Sequence, residues 1–177
     1  MNGVAARSLR SLLGLLWFGF WFLLCFPGLA LWLSGREVAL RGGGWATAAA
    51  LLIAAAVAVI VRTTATFVRE ADGTPVPLDP PRAFVSSGLF RWVRNPMYLA
   101  YEAILVGEAL LFGSVALAAY AAGFAALAHV YVVRFEEKEL ARRFGDSYRR
   151  YCDAVPRWLP KRPTDRAACL SKTGRIS

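Results

Sequence analysis

Hydrophobic residues in this chain come in long unbroken runs rather than in the alternations of a soluble domain. From Leu12 to Leu33 there are 22 residues without a charge, enough for about 33 Å of helix and one bilayer crossing. Arg7 and Arg10 precede the run as they would in a signal peptide. The apolar stretch is longer than a signal's core, however, and no small-x-small site follows cleanly, so an uncleaved helix is expected. Pro27-Gly28 predicts a kink within it. After a glycine-rich loop, Ser34 to Gly44, the uncharged run Trp45 to Val61 predicts a second crossing. Arg62 to Arg94 is polar and holds Pro75, Pro77, Pro80 and Pro81. Prolines at that density block helix and sheet, which predicts an ordered loop or a linker.

Met97 to Val133 spans 37 residues, interrupted only by Glu102, Glu108 and His129. One helix of that length would reach about 55 Å, nearly twice the hydrocarbon core. A turn near Phe112-Gly113-Ser114 resolves it into a hairpin of two crossings. Asn95-Pro96 marks its start, with an N-cap followed by proline at the first helical position. Beyond Val133, Leu140, Phe144, Tyr148 and Tyr151 recur at helical spacing, giving one apolar stripe among charges. Gly145 offers a C-cap and Asp146 or Ser147 an N-cap, so two short helices are expected there. The stripe could fold back as a lid over a site, or lie as a basic amphipathic surface on anionic headgroups. The expected fold is an all-α integral membrane protein with about four transmembrane helices and short cytoplasmic amphipathic helices at the C-terminus. It divides into an N-terminal helix pair (1–61), a core (62–163) and a tail (164–177).

Composition supports this reading. The chain is 57% hydrophobic and 19% charged, against about 45–50% and 25% for a soluble domain. That bias excludes a soluble globule, and disorder, which needs the opposite. Of 21 basic residues 18 are Arg, which suits a GC-rich genome; the expected location is a bacterial cytoplasmic membrane. The segments before Leu12, from Arg62 to Arg94 and after Val133 hold 2, 5 and 12 basic residues, whereas the loop between the first two runs holds 2 and the hairpin turn none. With four crossings the basic-rich segments fall on one side, which the positive-inside rule makes cytoplasmic, termini included. Cys25, Cys152 and Cys169 lack ligand spacing and His129 is the one histidine, so neither a disulfide framework nor a metal site is expected. The partners expected are the lipid bilayer and a lipophilic small molecule or lipid, with no nucleic acid.

Chemistry can sit at two places on the cytoplasmic face. In Gly88-Leu-Phe-Arg-Trp-Val-Arg-Asn-Pro-Met-Tyr98 a helix begins, and its free N–H groups with Arg91 and Arg94 favour a carboxylate or phosphate. An interfacial Trp/Tyr/Arg anchor would show the same residues. Arg134-Phe-Glu-Glu-Lys-Glu139 sets paired carboxylates at the end of the fourth crossing, suited to a cation or to a solvated face. Glu102 lies four residues past Tyr98 on the same helix face, and an intramembrane carboxylate is a functional candidate. Glu108 lies on another face and deeper. His129 precedes Glu136 by seven residues on one helical stripe.

Gly88-Leu-Phe-Arg-x-x-Arg-Asn-Pro-x-Tyr98, the hairpin, Glu136-Glu137, Phe144-Gly145-x-x-Tyr148-x-x-Tyr151 and Val155-Pro156-Arg157 together resemble the isoprenylcysteine carboxyl methyltransferase family, whose wider group includes phospholipid N-methyltransferases. The resemblance covers roughly residues 73–160. It implies a membrane enzyme that takes S-adenosylmethionine from the cytosol and a lipophilic acceptor from the bilayer. It further implies cofactor contacts at Phe84, Val85, Phe90, Asn95, Pro96, Met97, Tyr98 and Glu136. Asn95 stands where the family has His, Phe90 where Tyr is frequent, and Ala100 where Gly occurs. The family's upstream Arg has no counterpart at Val132, and Arg134 is the nearest substitute. From the charges of the cofactor, Arg94 would suit its carboxylate, and Glu136 or Glu137 its cationic groups or ribose. Glu102 and Arg134 are the candidate catalytic residues, and Glu102 or His129 would take the proton of an amine acceptor. Carboxylate, thiol, amine and phospholipid headgroup acceptors all fit. Two other readings share some features: an NADPH-dependent reductase of the membrane sterol type, and a non-catalytic basic scaffold.

Cysteines placed at Ser87 and Ser171 are expected to be blocked from an impermeant maleimide applied outside intact cells. Labelling of either would overturn the four-crossing arrangement.

Overall fold

The computed structural model describes residues 13–14, 16–35, 39–70 and 85–163. Phe84 and the proline cluster at 75–81 lie outside them, as do Arg7, Arg10 and Ser171. Among the described residues the regular structure is entirely helical. Helix α1 (Leu16–Leu33) and helix α2 (Gly44–Glu70) are followed by a 3-10 turn (Gly88–Arg91) and helix α3 (Pro96–Phe112). Helix α4 (Val115–Tyr131) continues through a π-helical turn (Val132–Glu136) into helix α5 (Glu137–Ala154). By length and composition α1, α2 and the continuous α4–α5 helix can cross a membrane. At 17 residues, α3 sits at the lower end of the spanning range.

Proline shapes the first crossing. The Phe26 N–H bonds the carbonyl of Trp21, five residues back, within a π-helical stretch, Phe20–Cys25. In that register the Phe22 carbonyl would next require an N–H from position 27, which is proline and has none. The Tyr120 hydroxyl on α4 donates to this carbonyl at 3.1 Å. In a medium without water such a replacement is what allows an irregular backbone. Phe18 on Tyr101 and Phe22 against Phe124, with ring centroids 4.9 and 6.4 Å apart, seat α1 across the hairpin.

Helix α2 corrects one expectation. It runs on to Glu70, nine residues past Val61, through what reads as the start of a polar connection. Two of its threonines satisfy themselves, with Thr63 Oγ1 donating to Val59 and Ile60 carbonyls and Thr66 Oγ1 to Arg62. Phe67 packs edge-on to Phe90, and Ser87 donates to Glu70. The end of α2 therefore serves as the platform for the 3-10 turn that precedes α3.

Small residues bring α2 and α3 together. Ala49 and Ala56 on α2 and Ala100 on α3 are buried, and a Cβ on Gly107 would stand 2.6 Å from Ile53 Cγ1. Close backbone approach of this kind drives helix association where lipid removes the hydrophobic advantage. The hairpin turn falls where its sequence places it. Gly113 closes α3 in the left-handed conformation, and Ser114 Oγ accepts from Leu117 N–H to cap α4.

Gly107→Leu should lower the midpoint of thermal unfolding in detergent by the equivalent of about 1–3 kcal/mol of overpacking. Val106→Leu, one residue earlier and exposed, should leave it unchanged.

Candidate functional site

The two sequence stretches singled out for chemistry meet at the junction of α3, the π turn and α5. Tyr98, in the first turn of α3, donates its hydroxyl to Glu136 Oε2 at 3.0 Å. Arg94, just before α3, donates through Nη1 to Glu137 Oε1 at 2.9 Å and to Cys152 Sγ at 2.9 Å. Arg157 completes the cluster with a fork, Nε to Glu137 Oε1 at 2.7 Å and Nη2 to Oε2 at 2.8 Å. Neighbouring glutamates thus have different fates. Both oxygens of Glu137 are committed to arginines, whereas Glu136 keeps one oxygen free of hydrogen bonds among the described residues.

The π turn separates them. One additional residue in the turn shifts the register of everything after it, so the stripe that would align His129 with Glu136 is broken. The crossing ends at Val133, where charges begin. Beyond it, burial pushes the Glu136 carboxyl up and Glu137 adds to the rise, while the Tyr98 hydrogen bond holds part of it back. The hydrogen bonds that Arg157 donates to Glu137 raise its guanidinium above the ordinary value.

Helix α5 is two helices, as its sequence suggests. Gly145, at φ 52° and ψ −128°, occupies a conformation that essentially only glycine adopts. The chain reverses there, and Leu140 and Phe144 pack against Tyr148, Tyr151 and Val155. The returning arm docks through Tyr151, whose hydroxyl donates to the Phe90 carbonyl at 2.8 Å. A strip from Val155 to Lys161 then lies along residues 92–95. Arg94 N–H donates to the Pro156 carbonyl and Lys161 N–H to the Trp92 carbonyl, both at 2.9 Å. Asn95 does begin α3, but its side chain forms no cap. Its amide donates instead to the Arg157 carbonyl at 3.2 Å, which leaves the first turn of α3 without a side-chain acceptor.

Next to this junction lies a cavity of about 300 Å³. Tyr98, Leu99 and Glu102 of α3, Phe124, Ala125, Ala128 and His129 of α4, and Trp158 of the strip line it. Glu102 Oε2 is buried without a hydrogen-bond partner. The indole N–H of Trp158 donates to His129 Nδ1 at 3.0 Å. Because an indole N–H only donates, Nδ1 is the accepting nitrogen of this pair.

The other residues expected from the sequence fall as follows. Val85 and Phe90 are buried beside Phe67, and Pro96 is buried. Met97 packs against the hairpin core of Tyr101 and Leu105. Arg134 is exposed and makes no hydrogen bond among the described residues. Phe84 lies outside the described residues. Sequence reasoning gave no role to Trp158, Cys152 or Arg157. Only Arg157 carried a signal, as the last residue of Val155-Pro156-Arg157.

The arrangement defines a helical membrane protein with a carboxylate–tyrosine pair at one end of a hairpin and a cavity between the hairpin helices beside it. Residues 45–147 match the family model described as Phospholipid methyltransferase. That is more than half of the 177 residues, and the chain belongs to this family. The matched segment begins at Trp45 and so takes in α2. No curated protein and no solved structure matches the chain significantly. Methyltransferases of the family generally use S-adenosylmethionine. The residues present fit such a group. The uncapped turn of α3, beside the buried and unpartnered Nε of Arg94, suits a carboxylate. Glu136, with an oxygen to spare, suits an ammonium or sulfonium.

Glu137→Gln should release the strip, since it exchanges a carboxylate held by two guanidiniums for a neutral amide. Breaking such a partly buried cluster costs about 1–3 kcal/mol, less than the fully buried case. Trypsin should then cut after Arg157 and Lys161 about tenfold faster than in the parent chain. Unchanged cleavage would show that the arginines do not hold the strip.

Proposed function

We propose that this chain transfers a methyl group from S-adenosylmethionine to a lipophilic acceptor held in the cavity between α3 and α4. The observation that carries the reading is Tyr98. Its hydroxyl is bonded to Glu136, and its ring lines the cavity that also contains Glu102. One side chain therefore joins a site suited to a polar, zwitterionic cofactor to a site inside the hairpin.

In this reading Arg94 and the first turn of α3 hold the cofactor carboxylate, and Glu136 holds its cationic part. Val85, Phe90, Asn95, Pro96 and Met97 shape the surrounding wall. When bound, S-adenosylmethionine supplies an electrophilic methyl group on sulfur. The protein's work is then positional, bringing the acceptor atom into line at about 3–3.5 Å. A carboxylate or thiolate acceptor needs no base. An amine would lose its proton to Glu102, whose Oε2 is buried without a partner, because Nδ1 of His129 is taken by Trp158. Glu137, with each oxygen already accepting from a guanidinium, positions Arg94 and the C-terminal strip. Arg134, exposed and away from these contacts, has no part in the step.

The basic segments are assigned to the cytoplasmic side of a bacterial membrane, so the polar cofactor arrives from the cytosol and the acceptor from the bilayer. The 300 Å³ cavity admits the reactive end of a lipid, leaving its chains in the hydrocarbon.

The test is transfer of labelled methyl from S-adenosylmethionine into a membrane lipid extract, with identification of the product. Glu136→Gln should weaken cofactor binding about 10–100-fold, the worth of a hydrogen bond to a charged group, with membrane insertion unchanged. Glu102→Gln should instead spare cofactor affinity and reduce turnover with an amine acceptor. Acceptors should improve with alkyl length by up to about 0.8 kcal/mol per buried CH₂. Absence of any labelled lipid, or normal cofactor affinity in Glu136→Gln, would refute the assignment.

A further inference from the structure

We infer that Trp158 is the residue that sets the size of acceptor the cavity admits. This deepens the proposed function and rests on it for the identity of what enters. Among the residues lining the cavity, Trp158 alone comes from outside the hairpin. The other walls belong to α3 and α4, whose separation is fixed by helix packing. The indole is the one large wall that reaches the cavity from a separate segment.

Its placement is over-determined. The N–H bond to His129 at 3.0 Å fixes one edge, and the ring stands nearly perpendicular to Tyr98 at a centroid distance of 6.3 Å. On both sides the backbone is pinned, at Pro156 by Arg94 N–H and at Lys161 by the Trp92 carbonyl. Between these anchors the Arg157 carbonyl accepts from Asn95. A ring held at both its polar edge and its backbone cannot swing aside at small cost. The cavity it leaves, about 300 Å³, lies at the small end for ligand sites, which run to roughly 1,000 Å³. Removing the indole would enlarge it next to Tyr98 and Glu102, where the acceptor's reacting end would lie. Bulk and bond contribute separately, because phenylalanine keeps most of the wall and loses only the N–H.

The experiment uses the full-length chain in membranes with Ala128→Cys as a reporter, since Ala128 is buried and lines the cavity. N-ethylmaleimide and the bulky N-pyrenylmaleimide are the probes. Modification at position 128 is resolved by mass spectrometry from that at Cys25, Cys152 and Cys169. With Trp158 present, the bulky reagent should react at least about tenfold more slowly than the small one. Trp158→Ala should remove most of that ratio with the N-ethylmaleimide rate held within about twofold, and Trp158→Phe should give an intermediate ratio. In methyl transfer, Trp158→Ala should admit bulkier headgroups at unchanged cofactor KM. A size ratio unaffected by Trp158→Ala, or Trp158→Leu should the first variant not insert, overturns the inference. If the ratio changes but the parent chain methylates no lipid, the proposed function fails while the wall stands.

Discussion

Glu137 ties together parts of the chain that are far apart in sequence. Arg94 precedes the third crossing, Glu137 follows the fourth, and Arg157 ends the docked arm beyond Gly145. Their side chains are 11%, 17% and 32% exposed, so the cluster is screened less than a surface pair and desolvated less than a buried one. Two guanidiniums sharing one carboxylate leave a net positive charge beside the uncapped start of α3. The cluster orders the strip and keeps the region attractive to an anion. Main-chain bonds, the Tyr151 hydroxyl, and the Asn95 and Trp158 contacts also hold the strip.

The division of labour between the two glutamates follows from the π turn. In an uninterrupted helix adjacent side chains diverge by 100°, but their placement relative to α3 would be set by the whole length of α4. Inserting the π turn uncouples the end of the helix from its membrane-spanning part. Val132 remains fully buried against the hairpin while Arg134 and Phe135 face outward. Glu136 reaches Tyr98, and Glu137 reaches the arginines. The first crossing uses the same device for another purpose. There a π-helical stretch before Pro27 leaves a carbonyl that Tyr120 satisfies, and the bond fastens α1 to α4.

How the cavity stays polar inside an apolar hairpin is a question of hydrogen bonds. Glu102 has an unpartnered oxygen, His129 accepts from Trp158 through Nδ1, and Tyr98 spends its hydroxyl on Glu136. Partly satisfied polar groups in a low dielectric are costly. Their persistence here is consistent with a site whose remaining partner is a ligand, and the strip from Val155 to Lys161 shields them from one side.

The sequence by itself determined the membrane class, the crossings, the hairpin turn at Gly113-Ser114, the break at Gly145 and the two stretches that would meet. Each of these depends on local chemistry: lengths of uncharged runs, glycine's freedom at positive φ, caps, and proline's missing N–H. It misjudged the end of α2, because Thr63, Thr66 and Phe67 look polar or isolated until their helix carbonyls and Phe90 are seen. It also gave Asn95 a capping role, whereas its amide donates to the Arg157 carbonyl instead. Only the tertiary structure decided that Glu137 is committed to arginines while Glu136 is not, that Arg134 faces outward, and that Trp158 lines the cavity. Those outcomes depend on a one-residue change of helical register and on a strip returning from more than sixty residues away. Neither leaves a periodic signal, because the energy that selects them lies in contacts between segments, not within them.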